Sequence, residues 1–345
     1  MFKRIFILFV LAAGIIGCFG IYLLYNHFTE TLKENKLNEA SASTQKSFIY
    51  FSRLDGTGVE KKEEETPRVV GLMIDNHNVA RPQTGLAEAR VVYEAMAEGG
   101  ITRFLALFAD GDEVEKIGPV RSARPYYLDW LSEYGDALYM HCGGSPDALK
   151  RIKEQKIFDA NEFYWGDFYW REKNQTAPHN IYTRSENWKK IWENYGDEKD
   201  GQSWDGWKFG SDFSGGEKIK AVKIKYFPDY EVEWKYNETS EKFERFINGQ
   251  EHWVSGGDFI QSDDVIIQYA QTEILDEEGR REIKNLAGGE ARVLRNGEII
   301  KGTWKKESTK TRTRFYNQNN EEIILTPGRI WVEVVPTELI LEITK

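Results

Sequence analysis

Cysteine is nearly absent: the chain has two, Cys18 and Cys142. Cys18 falls in an apolar N-terminal run and Cys142 in the polar body, so no intrachain disulfide is expected and the fold must stand on its hydrophobic core. Histidine is scarce as well, at five residues. With a single cysteine in the body, zinc-ligand spacing is missing, and no metal or cofactor is expected. Positive charge is not in excess: the formal net charge is -10. A general nucleic-acid binder needs clustered positive charge to displace counterions, so that class is disfavoured. The chain also lacks a G-x-S-x-G elbow, a P-loop, a dinucleotide fingerprint and an H-E-x-x-H pair. Asp110-Gly111-Asp112 lacks the spacing and closing glutamate of a calcium loop.

What is present begins with an anchor. Lys3 and Arg4 precede an uncharged apolar run from Ile5 to Tyr25, long enough to span a bilayer as a helix. Flanking positive charge stays inside, which places the bulk of the chain outside the cytoplasm. Ile15-Ile16-Gly17-Cys18 also reads as a lipobox, with Cys18 as the lipidation candidate. An uncleaved signal anchor and a lipoprotein signal are both open readings of residues 1–25, and both put the body on the same side of the cell membrane. Residues 26–66 have little periodic apolar content and carry the run Glu60-Lys61-Lys62-Glu63-Glu64-Glu65, which reads as a flexible stalk.

The remainder reads as α+β. Residues 67–216 mix strands and helices. Val69 to Ile74 suits a buried strand. Val91–Glu98 and Ile101–Phe108 read as a hairpin turning on Gly99-Gly100. Ser145-Pro146 opens a helix, with serine as its cap and proline in its first turn. Residues 217–345 alternate as strands around the turns Asn248-Gly249, Asn296-Gly297 and Pro327-Gly328, with one short helix expected near Ser240 to Phe246. A mixed α/β N-terminal domain followed by a mostly β C-terminal domain is the expected architecture.

Candidate chemistry collects after the strands of the first domain. Asp75-Asn76-His77 follow the strand Val69 to Ile74, and His141 and Ser145 follow the strand Ala137 to Met140. Ligand groups gather beyond the carboxyl ends of strands, and parallel pairing would put both sets on one sheet edge. Arg121 and Arg124 flank a helix start, where free N–H groups and guanidinium forks suit a carboxylate or phosphate. The alternative is that they pair with internal acids. In the hairpin, Glu94, Glu98 and Arg103 are expected on one face, either as acid–base machinery or as a salt-bridge network. The aromatic run Phe163 to Trp170 suits sugar or peptide stacking, or a loop pinned by its rings. His179-Asn180 follow it.

Several joint motifs then carry a resemblance. Met73-Ile74-Asp75-Asn76, Arg81-Pro82-Gln83-Thr84-Gly85-Leu86, Glu98-Gly99-Gly100-Ile101-Thr102-Arg103 and Gly118-Pro119-Val120-Arg121-Ser122-Ala123-Arg124 resemble the YerB-like lipoprotein family. So do His141-Cys142-Gly143-Gly144-Ser145, Ala177-Pro178-His179-Asn180-Ile181-Tyr182, Gly302-Thr303-Trp304 and Leu325-Thr326-Pro327-Gly328-Arg329-Ile330-Trp331-Val332. The resemblance spans roughly residues 67–345. It implies an envelope-side protein with separate N- and C-terminal family domains, and it implies no reaction.

The expectation drawn from the residues is an anchored extracytoplasmic binder of an anionic or polar cell-envelope ligand, such as a cell-wall fragment. Asn76, Arg81, Arg103, Arg121, Arg124, Ser145, His179 and Asn180 are the candidate ligand contacts. The competing expectations are an envelope hydrolase using Glu98 or Glu94 with His141 or His179, and a scaffold for a partner protein docking on the β domain.

Overall fold

The computed structural model describes residues 48–196, 204–211 and 215–345. The expected anchor, Cys18 and the first part of the stalk lie outside the described residues. Among those described, no helix is long and apolar enough to cross a membrane.

Five strands of the first half are β1 (Val69–Asp75), β2 (Val91–Met96), β3 (Thr102–Ala109), β4 (Leu138–His141) and β5 (Phe158–Asn161). Helices α1 (Pro125–Leu131), α2 (Pro146–Glu154) and α3 (Ser185–Tyr195) accompany them. The second half supplies β6 (Ala221–Phe227), β7 (Tyr230–Asn237), β8 (Lys242–Ile247), β9 (Asp264–Ile274), β10 (Ala287–Arg295), β11 (Glu298–Lys306) and β12 (Ile330–Pro336). The mixed α/β first half and the mostly β second half are as expected.

One sheet nevertheless runs through both halves, in the order β11-β10-β9-β12-β2-β3-β1-β4-β5. The junction is a parallel pairing of β12 with β2, in which Ile330 faces Val91 and Glu333 faces Glu94. Every residue of β1, β2 and β12 is buried, which is why these segments read as unbroken apolar runs rather than alternating ones. Alternation instead divides the two faces of the sheet. Leu72, Phe104 and Trp331 share a core with α3 and with the second sheet, β8-β7-β6, through Trp188, Trp234 and Phe243. Met73, Tyr93 and Leu105 share another with α1 and α2 through Trp130 and Ile152. Ser145 caps α2 as expected, accepting from the Ala148 amide at 3.3 Å.

Three expectations need correction. The segment read as stalk is folded from Tyr50 onward: Tyr50–Phe51 pairs with Gly58–Val59, and Leu54 between them is fully buried. One leucine and a buried Asp55 outweigh the polar composition, because Asp55 meets Arg90 at 2.9 Å. The expected short helix at Ser240 to Phe246 is the strand β8, where Phe243, Arg245 and Ile247 point inward and Glu244 and Phe246 less so. The hairpin register is also shifted by one. Met96 faces Thr102 and Ala95 faces Arg103, so the loop holds Glu98, Gly99 and Gly100, both glycines at φ +70°. Glu94 and Arg103 therefore lie on opposite faces of the sheet.

Candidate anion site at the end of β1

Asp75 ends β1 in the middle of the sheet, between β3 and β4. Two loops are stitched onto that end. The Asp75 amide donates to the Pro119 carbonyl at 2.9 Å, and the Arg121 amide donates to Met73 at 2.8 Å. The Val120 amide in turn donates to Ile181 at 2.7 Å, which brings in the chain carrying His179. The sequence thus delivers Arg121 and His179 to Asp75 through backbone pairing.

The Asp75 side chain is fully buried. Its Oδ2 accepts from His179 Nδ1 at 2.6 Å and faces Arg121 Nε at 3.0 Å. Its Oδ1 accepts from the His77 amide at 3.0 Å. A carboxylate acceptor fixes the His179 tautomer with the proton on Nδ1, which leaves Nε2 as the acceptor nitrogen. The His77 ring stacks on His179 with centroids 4.7 Å apart and planes at 23°. Burial first, then His179, with Arg121 and Arg81 beyond, holds the His77 imidazole below its usual range against the pull of Asp75.

Asn76 points to the opposite face and is buried. Its Oδ1 accepts from Arg81 Nε and from Gln83 Nε2, each at 3.0 Å. Its Nδ2 donates to Thr102 at 2.7 Å and to the Tyr230 hydroxyl at 2.6 Å. Arg81 also donates to the Asn76 carbonyl and lies 5.1 Å above the Tyr230 ring. Behind them, Thr102 and Tyr230 donate to Glu94, which Arg245 meets at 2.5 Å. His252 links Arg245 to Gln83. This buried polar layer ties the site to the second half of the chain.

The expected residues divide accordingly. Arg121 and His179 come together on Asp75, and Asn76 and Arg81 meet each other on the opposite face of the same strand end. Arg103 is the cross-strand partner of Asp75, but it is buried and donates to the Ser122 carbonyl. Arg124 grips Glu98 with both prongs, at 2.5 and 2.7 Å. Burial works against ionisation of Glu98, yet the bonds from Arg124 outweigh it and hold the carboxyl below its usual range. The strands β1 and β4 are parallel neighbours, so His141 does end on the same edge. Its ring is enclosed, however, with Nδ1 at the Gly143 carbonyl and Nε2 at Asp159. Ser145 is occupied as the α2 cap. Asn180 braces its own loop, accepting from Arg171 and donating to the Glu172 and Gln175 carbonyls.

Sequence reasoning singled out Asp75-Asn76-His77 as a constellation after the strand, but it missed Gln83, Thr102, Tyr230, Arg245, His252 and Glu333 as support. A signal existed for some of these. Arg245 alternates with Phe243 and Ile247, and Glu333 with Trp331 and Val335, so each charge occupies a core-facing position. A cavity of about 600 Å3 between α1, α2 and the segment Arg281–Leu286 includes none of the residues around Asp75.

Among known proteins, residues 56–199 match the family described as "Protein of unknown function (DUF3048) N-terminal domain", and residues 222–332 match its C-terminal domain. The chain is 31% identical over 286 residues to "Putative lipoprotein YerB" of Bacillus subtilis (strain 168), covering 81% of this chain and 85% of that one. It superposes on the crystal structure of YerB from Bacillus subtilis with a TM-score of 0.76 at 30% identity, covering 86% of this chain and 99% of the other. The chain belongs to the YerB-like DUF3048 family.

Proposed function

We propose that this protein is held at the cell membrane by its N-terminal segment, faces away from the cytoplasm, and binds an anionic cell-wall fragment at the Asp75 site. The side is supported by Lys3 and Arg4 ahead of the apolar run Ile5 to Tyr25, and by the lipoprotein designation of the Bacillus relative.

The observation that carries the binding reading is the placement of charge around Asp75. The carboxylate is buried, whereas Arg121 and His179 retain 22% and 15% of their side-chain exposure. Arg81 forms no ion pair among the described residues. Arg121 and His179 therefore meet one acid that solvent does not reach, His77 stacks on His179, and Arg81 lies on the neighbouring Asn76, a preorganised setting for a carboxylate or phosphate. Arg124, expected to share the grip, is engaged by Glu98.

Calorimetric titration of the full-length protein in detergent with soluble muropeptides tests this. Arg81→Gln with Arg121→Gln is expected to weaken binding at least tenfold. Wild-type affinity in that double variant removes the site.

The Asp75–His179 pair favours a second reading, since a carboxylate orienting an imidazole is how a general base is built. Glu98 cannot serve as the matching acid while Arg124 holds it ionised. Cys142 is no ready nucleophile, because burial first and then Glu162 push its thiol up to about 11. Turnover of wall fragments that disappears in His179→Gln would select the hydrolase.

A further inference from the structure

The edge that carries Asp75 continues across β4 and β5, whose carboxyl ends lie beside that of β1 because the three strands are parallel. Contacts run along it without a break. The Cys142 amide donates to the Arg121 carbonyl at 3.1 Å. Cys142 Sγ lies 3.4 Å from Glu162 Oε2, and Glu162 Oε1 meets Arg171 at 3.1 Å. In the two ion pairs along this line the acid lies inside and the cation outside: Asp75 and Glu162 are 0% and 14% exposed, Arg121 and Arg171 22% and 45%, while Asp159, held by His141, is 26% exposed.

Directly after Glu162, the partner of Arg171, the chain presents two bare rings. Phe163 is 67% exposed and Tyr164 85%. Slack in the loop does not explain this. Asn161 accepts from the Phe163 amide through Oδ1 and from the Tyr164 and Trp165 amides through its carbonyl. The Trp165 ring packs edge-on against Tyr195 at 4.8 Å. Gly143, at φ +62°, lets the Phe163 ring lie over the backbone, since a Cβ there would stand 3.0 Å from it. Two consecutive exposed rings on an anchored backbone, directly after the acid that pairs with Arg171, offer a mixed stacking and anion-binding strip.

We infer that the ligand is an acidic glycan, with sugar rings stacked on Phe163 and Tyr164 and anionic substituents, carboxylate or phosphodiester, on Arg171 and Arg121. This rests on the anion site proposed above and extends it along the sheet edge. A small anion leaves the rings unused, and a neutral sugar leaves the arginines unused. Single-stranded nucleic acid also combines anions with stacking rings, but the net charge of -10 opposes it.

The test is titration of the full-length protein in detergent with hexagalacturonate and with a glucosylated polyglycerol phosphate, against chitohexaose, polyglutamate and oligothymidylate. Binding of either acidic glycan at least tenfold tighter than the other three supports the proposal, and which of the two binds identifies the anion. Phe163→Ser with Tyr164→Ser, both exposed and so expected to fold, should weaken glycan binding about tenfold and leave polyglutamate unaffected. Arg121→Gln should weaken both. If Arg121→Gln weakens binding and the ring variant does not, the glycan extension falls and the anion site stands. If neither weakens it, both fall. Equal or tighter binding of chitohexaose or oligothymidylate overturns the acidic-glycan class.

Discussion

Glu94 and Arg245 meet at 2.5 Å with neither side chain reaching solvent, although 151 residues separate them. Glu94 lies in the strand that pairs with β12, and Arg245 lies in the second sheet beneath, 4.8 Å from the Trp331 ring. Removing one partner of a buried pair leaves the other charge uncompensated, at about 3–5 kcal/mol. Arg245→Met is expected to lose stability on that scale in urea unfolding. Adding Glu94→Gln should recover part of the loss, because it removes the stranded charge. Additive losses would show that the pair does not couple.

Stability should also depend on pH in a defined way. Burial first, and then Glu94, push Glu333 up to about 8. Burial pushes Asp264 up to about 8 as well, against the bonds from Thr326. In the unfolded chain both titrate near 4, so between these limits the native state holds more protons. Stability therefore falls as pH rises toward 8. His252 acts oppositely. Burial, then Arg245 and Arg81, hold it well below its usual range, so it costs stability as pH falls below about 6.5. The window from about pH 7 to 8 isolates the carboxylates. There, Glu333→Gln and Asp264→Asn should each flatten the decline seen in urea midpoints. An unchanged slope would contradict the assignment.

How far the sequence was legible follows from the range of each signal. The unbroken apolar run of β1 and the serine-proline start of α2 are local, and both were read correctly. Asn76, Arg121 and His179 stood out because polar groups followed strands or preceded a helix, whereas Arg81 entered through the family motif Arg81-Pro82-Gln83-Thr84-Gly85-Leu86. In Lys242–Ile247, Phe243, Phe246 and Ile247 fit helical spacing, whereas Phe243, Arg245 and Ile247 fit a strand. Only the neighbouring strand β7, paired through Val232–Asn237, decides for the second. Two consecutive glycines likewise permit a two- or three-residue hairpin loop, and one step reverses which face each side chain takes. The support from Tyr230, Arg245, His252 and Glu333 depends on β12 joining β2, a pairing that no local pattern announces.

The segment from Tyr50 should prove part of the fold. Leu54 is fully buried, Asp55 bridges to Arg90, and the Arg53 amide donates to the Glu65 carbonyl at 2.7 Å. Leu54→Ala is expected to cost about 2–5 kcal/mol, as for other buried leucines. A chain begun at Pro67 should melt well below one begun at Phe48. Equal melting temperatures would return this segment to the role of a spacer.

The stacked imidazoles make the sharpest test of the anion site, because each neighbour of His77 moves its proton affinity in a known direction. Arg121 and His179 lower it and Asp75 raises it. Arg121→Gln and His179→Gln should therefore raise the His77 midpoint, and Asp75→Asn should lower it, in NMR titration of the ring Hε1 signal. A bound anion adds negative charge beside the ring and should raise the midpoint further. By linkage, binding must then tighten as pH falls through the His77 midpoint of the free protein. A muropeptide that binds with pH-independent affinity and leaves the His77 signal unmoved binds somewhere other than the end of β1.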